Sequence, residues 1–202
     1  AVVDLESRSV SHRLVAPRSP RAMALANSGN TLIVAGHRTG QPDRYPYAEN
    51  ESSSPDVWAM DVHSGAIEWQ IEEAGNIITD MVVDPESSSL WLTAIVSFPE
   101  RGRESLDSTL IESQVQAYDL DSGEWMSSTI IGPAGPGQGF VQGPQALMVD
   151  EGIVWMLAQD SELLVGLDQQ SRNEIARLSI PGGPRSMMFT GEDLWIHASQ
   201  EH

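Results

Sequence analysis

The feature that most constrains this chain is a short hairpin pattern that it carries four times. In its fullest form it reads Val57-Trp58-Ala59-Met60-Asp61-Val62-His63-Ser64-Gly65-Ala66-Ile67-Glu68-Trp69: an alternating apolar run, then Asp-x-x-Ser-Gly, then a second alternating run. Alternation puts every other side chain on one face of an extended strand, and two such runs around a tight turn make a hairpin. Asp and Ser bond to nearby backbone groups and Gly accepts positive φ, so each turn residue has a physical reason to be there. The pattern returns as Val115-Gln116-Ala117-Tyr118-Asp119-Leu120-Asp121-Ser122-Gly123-Glu124-Trp125, and more weakly as Val165-Gly166-Leu167-Asp168-Gln169-Gln170-Ser171-Arg172. The chain also opens on it, with Val2-Val3-Asp4-Leu5-Glu6-Ser7-Arg8.

Asp4, Asp61, Asp119 and Asp168 anchor the copies, at separations of 57, 58 and 49 residues. A repeat of that length fits one propeller blade of four antiparallel strands, a to d from the axis outward, with its loops. Residues 1–16 then supply strands c and d of one blade, 17–75, 76–134 and 142–183 are complete blades, and 184–202 supply strands a and b. The expected fold is all-β, a β-propeller of four blade equivalents with sixteen strands. Three closures stay open: a self-closed four-blade ring, half of an eight-blade ring completed by a second copy, or part of a longer chain, the ring being completed by flanking sequence. Unprotected strand edges at both ends favour the last.

The run Ala59-x-Asp61-x-x-Ser64-Gly65-x-x-x-Trp69 resembles the blade motif of quinoprotein-type (PQQ-like) propellers, in which the strand-d Trp docks between blades. Ala117-x-Asp119-x-x-Ser122-Gly123 is similar, with Trp125 two residues early. The other half of the repeat, Gly143-Pro144-Gln145-Ala146-Leu147-Met148-Val149-Asp150 and Gly183-Pro184-Arg185-Ser186-Met187-Met188-Phe189, more closely resembles YVTN/YncE-like extracytoplasmic propellers. The resemblance implies a propeller and a periplasmic or secreted location. It implies no single activity, because such repeats build enzymes, binding modules and scaffolds alike.

The formal charge of −18 over 202 residues repels DNA, RNA and anionic membrane surfaces at long range, so nucleic acid is not an expected partner. All 11 basic residues are Arg, which suits a high-GC or salt-adapted source. The absence of Cys excludes disulfides, thiolate metal sites, haem attachment through Cys and a Cys nucleophile. No apolar run approaches the roughly 20 residues of a membrane span.

Within a blade the a–b and c–d turns share one face of the disc, and the b–c and d–a connections share the other. The long insertions, about 37–56, about 97–113 and the connector 132–143, all fall on that second face, which is where function is expected. Aligning the repeats puts Arg21, Thr79, Gln145 and Arg185 at equivalent positions at the start of strand a, on the channel wall. Two guanidiniums and two neutral polar groups around one axis suit a carboxylate or phosphate ligand. The plainer alternative is that the Arg residues pair with a neighbouring carboxylate such as Asp80. The two long loops carry Arg38, Arg44, Tyr45 and Tyr47, and Phe98, Arg101 and Arg103, residue types favoured at protein interfaces.

The five His residues show no metal-ligand spacing, and Asp119-x-Asp121-x-Gly123 lacks the distal Glu of a calcium loop. No metal and no cofactor are expected. Trp91, Trp155 and Trp195 share one register of successive strands b, and with Trp69 are expected to be buried packing residues. The function these features favour is a non-catalytic extracytoplasmic binding or assembly module, acting through its long-loop face on a protein partner or a small anion. The alternatives are a channel-mouth enzyme of the quinoprotein-like or lyase/lactonase type, and a propeller segment accompanying a redox domain.

Overall fold

The computed structural model describes residues 2–15, 20–37, 55–72, 74–75, 77–99, 109–134, 144–159, 161–191 and 193–198. Their strands are β1 (Val2–Asp4), β2 (Ser9–His12), β3 (Pro20–Ala26), β4 (Thr31–His37), β5 (Pro55–Asp61), β6 (Ile67–Ile71), β7 (Ile77–Asp84) and β8 (Ser89–Pro99). The series continues with β9 (Thr109–Asp119), β10 (Trp125–Ala134), β11 (Pro144–Asp150), β12 (Ile153–Ala158), β13 (Leu163–Asp168), β14 (Glu174–Ser179), β15 (Pro184–Thr190) and β16 (Asp193–Ala198). Strands β3 to β6, β7 to β10 and β11 to β14 form three four-stranded antiparallel sheets in simple up-and-down order, while β1–β2 and β15–β16 form separate two-stranded sheets. The innermost strands β3, β7, β11 and β15 lie beside one another in sequence order, so the sheets stand around an axis as blades.

The turn chemistry is what the repeat predicts. Asp61 Oδ1 accepts from the Ser64 N–H at 2.7 Å and from its hydroxyl at 2.6 Å, and Asp119 Oδ1 does the same with Ser122 at 2.8 and 2.7 Å. These bonds favour the ionised form and hold both carboxyls below their ordinary range. In the weaker third copy Asp168 Oδ1 accepts from the Ser171 N–H at 2.6 Å, and Arg172 takes the glycine's place with φ of 60°.

Alternation within each blade divides its side chains between two inter-blade interfaces. One buried cluster joins Ile33, Val57 and Ile71 of the first full blade to Leu90, Leu92 and Tyr118 of the second. Another joins Trp91, Val115 and Ile131 of the second to Leu147, Val154 and Met156 of the third. Each large side chain so buried contributes about 1.5 to 3 kcal/mol. Trp91 is fully enclosed, opposite the small Ala117. Trp155 is half-buried opposite Gly166, where a Cβ would come within 3.0 Å of the indole.

Two expectations need correction. Trp195 is 61% exposed, because it points to the side of β15–β16 where the first two full blades each receive a following blade. The stretch 97–113 is strand at both its ends, residues 100–108 lying outside the described ones: Ser97, Phe98 and Pro99 pair with Ile111, Leu110 and Thr109, and β10 continues alongside with Pro133 opposite Glu112. The second full blade is thereby lengthened on its b–c side into a tongue that is three-stranded as far as Ile111 and two-stranded beyond it. Trp docking does not repeat, as the early position of Trp125 implies. Trp69 packs on Gly123 and donates from Nε1 to the Leu120 carbonyl at 3.0 Å, but Ser127 stands opposite Ala117 as Trp69 stands opposite Ala59, and Trp125 is 63% exposed.

Candidate functional site at the start of the inner strands

Every inner strand begins with the same irregularity. The pairing of strand a with strand b skips one residue between Pro20 and Ala22, between Ile78 and Asp80, between Pro144 and Ala146, and between Pro184 and Ser186. The skipped residues are Arg21, Thr79, Gln145 and Arg185. A bulge leaves one residue out of the ladder and re-aims its side chain, and bulges concentrate next to binding sites. Three of the four follow Pro, which has no N–H to give to the ladder. Since the inner strands are neighbours, the four bulges occupy one level of the inner wall, at the end that receives the d–a connections. The Arg21 and Arg185 side chains are exposed, and Thr79 is half-buried with its Oγ1 at 2.7 Å from Thr93 Oγ1.

Asp80, one residue past the second bulge, is held by backbone groups. Its Oδ1 accepts from the Met81 N–H at 2.9 Å and its Oδ2 from the Leu147 N–H at 2.8 Å, a bond that ties β7 to β11 across the blade interface. Burial raises its carboxyl above the ordinary range, in spite of those two donors. Asp80, the carboxylate named above beside the guanidiniums, thus clasps two blades.

Next to the first interface lies a polar arrangement that the sequence reading missed. Alternate residues of β9 form a chain of hydrogen bonds: Tyr118 Oη donates to Gln116 Oε1 at 2.8 Å, Gln116 Nε2 to Gln114 Oε1 at 3.0 Å, and Gln114 Nε2 to Glu112 Oε2 at 2.9 Å. Gln114, Gln116 and Tyr118 are all buried. Burial pushes the Tyr118 hydroxyl up to about 12. The signal was present: polar residues at 114 and 116 alternate with Val115 and Ala117 in a strand whose neighbour β8 is apolar on both faces, so neither face was free for water.

Of the residues expected on a partner surface, Arg38, Arg44, Tyr45, Tyr47, Arg101 and Arg103 lie outside the described residues. Phe98 is placed only through its backbone, paired with Leu110 in the tongue. Among the described residues no three His, Asp or Glu side chains gather as a metal ion would need, and no helix is long and apolar enough to cross a membrane.

The blade arrangement is that of a β-propeller, and solved propellers resemble it over nearly its whole length. The β-propeller domain of Cps50 (Swd1) from Myceliophteria thermophila matches with TM-score 0.62 at 12% identity, over 97% of this chain and 54% of that one. Hydrazine synthase from Kuenenia stuttgartiensis matches with TM-score 0.61 at 13% identity, over 98% and 64%. The Dos1 propeller matches with TM-score 0.61 at 10% identity, over 98% and 44%. The chain therefore spans about half the length of these structures, and at such identities the likeness is one of fold alone. No protein-family model matches the sequence, and no curated protein does.

Proposed function

We propose that this propeller is a non-catalytic extracytoplasmic binding or assembly module, and that it takes a small carboxylate- or phosphate-bearing ligand on its inner wall. The observation that carries the reading is the repeated bulge. Four adjacent strands each leave one residue out of the ladder at the same level, and two of the four are Arg. In a chain of net charge −18 guanidiniums at that level, on the first and last of the four inner strands, are the natural seat for an anion. The level faces the same side of the disc as the tongue, so a ligand there lies beside the surface proposed to meet a protein partner. The extracytoplasmic location rests on the resemblance of the Gly-Pro-x-x-Met/Leu half-repeat to YVTN/YncE-like propellers.

Calorimetric titration with succinate and with inorganic phosphate tests this. The expected result is millimolar or tighter binding of one of them, weakened by Arg21→Ala and by Arg185→Ala, each lost charge-assisted bond being worth about 1.5 to 3 kcal/mol. Thermal stability of the variants should stay within about 0.5 kcal/mol, because both side chains are exposed. No heat and no thermal shift with either anion at millimolar concentration would sink the ligand reading.

A further inference from the structure

The junctions between the full blades are built alike but filled differently. At the first, the row across strands b, c and d is Ile33, Ala59 and Trp69, and the Trp69 indole crosses to the facing c–d turn, onto Gly123 and the Leu120 carbonyl. At the second, the same row is Trp91, Ala117 and Ser127. The indole has moved from strand d to strand b, and the facing turn has changed with it. Four residues past the anchoring Asp stands Arg172 in place of Gly123, and one residue past it stands Gln169 in place of Leu120.

These three exchanges each bring an N–H donor into the second junction. Trp91 Nε1, Gln169 Nε2 and Arg172 Nε are buried, and among the described residues none of the three has a hydrogen-bond partner. Trp91 is 1% exposed and Gln169 7%. Met126 lies between the two sides: it packs on the cluster that contains Trp91, and its Sδ is 3.6 Å from Arg172 Nη2. Gln169 belongs to the turn that the Arg172 N–H closes on the Asp168 carbonyl at 2.7 Å. The rest of the guanidinium meets the Met126 carbonyl at 3.5 Å and that thioether, and among the described residues it pairs with no carboxylate. A buried donor left unmet is costly, and a cation withdrawn from water without a counter-charge more so. Three donors at one enclosed junction, one of them cationic, call for a small acceptor that carries a single negative charge.

We propose that the junction between the second and third full blades binds a halide ion, chloride under physiological conditions, through Trp91 Nε1, Gln169 Nε2 and Arg172 Nε. The ion joins these two blades as the Trp69 indole joins the first two. Its place is at the c–d turns, on the opposite face of the disc from the bulges of the inner wall, so it is a different site from the one proposed for a carboxylate or phosphate.

Thermal melting in sodium chloride and in sodium isethionate, a bulky sulfonate, tests this at one ionic strength of about 0.15 M, where long-range screening is the same in both. Wild type should melt about 3 °C or more higher in chloride, because an ion that binds only the folded chain stabilises it by mass action. The repeat itself supplies the variants. Gln169→Leu and Arg172→Gly install the residues of the preceding blade, so each should fold by circular dichroism, with the chloride-specific rise cut to about 1 °C or less. Arg21→Ala, on the inner wall, should keep the whole rise, which separates this site from the anion site there. A crystal soaked in sodium bromide should show anomalous scattering between Trp91 and Arg172. Equal melting in the two salts, a rise that survives both Gln169→Leu and Arg172→Gly, a rise lost in Arg21→Ala, or bromide found only elsewhere would each overturn the proposal and leave the three donors to water.

Discussion

Tyr118 and Gly123 show how far single residues of this propeller depend on their neighbours. An unfolded tyrosine ionises near 10 and the buried Tyr118 near 12, so between those values the unfolded chain loses a proton that the folded chain keeps. Stability should therefore fall as pH rises through that window, by about 2 to 3 kcal/mol at its upper end. Tyr118→Phe should flatten this alkaline limb in denaturant titrations while costing about 1 kcal/mol at neutral pH for the lost bond to Gln116. An unchanged limb would mean that the hydroxyl is not shielded. Gly123 has φ of +73°, and a Cβ there would lie 2.7 Å from Trp69 Cε3. Gly123→Ala should cost about 2 to 4 kcal/mol and shift the indole fluorescence, whereas Gly29→Ala, at φ of +89° with nothing within 4 Å, should cost only about 1 kcal/mol. Asp61, Asp119 and their Ser partners were legible in the sequence, because their bonds are local. The Asp80 clasp was not, because its Leu147 donor is 67 residues away.

At the scale of strands and hairpins, most of the architecture could be read from alternation and turn chemistry. Both are set within a dozen residues, and the inner strands start where the Pro-Arg and Pro-Gln pairs say they should. The four bulges deepen that reading: the equivalence of Arg21, Thr79, Gln145 and Arg185 in the sequence is an equivalence of pairing in the structure. What failed was inference across elements. The segment 97–113 reads as a loop by its length, yet Ser97 to Pro99 and Thr109 to Ile111 continue the β8–β9 ladder, with β10 alongside as far as Ile111. The sequence reading gave Gln114 and Gln116 no role. They are instead a hydrogen-bonded chain, since amide side chains two apart on a strand can satisfy each other when no water reaches them.

For the whole molecule, closure was the property least accessible to sequence, because it depends on small angles between blades that no local pattern encodes. Its energetic meaning follows from how the sheets are flanked. The sheet β7 to β10 has a neighbour on both faces, β3 to β6 and β11 to β14 have a complete one on one side only, and β15–β16 is covered on a single side. Where each unit is stabilised chiefly by the ones it touches, a linear array melts from its ends, while a closed ring resists as one body. Amide hydrogen exchange on the dilute chain in low salt should accordingly be graded: slowest at Leu90 to Ala94 and Val115 to Ala117, intermediate at Leu32 to Ala35 and Val154 to Leu157, fastest at Met187 to Phe189. Uniform protection over all three groups would show a single cooperative body. The graded result would make the sheet β7 to β10, flanked on both faces, the part that outlasts its neighbours when proteases and chaperones find the first loosened strands.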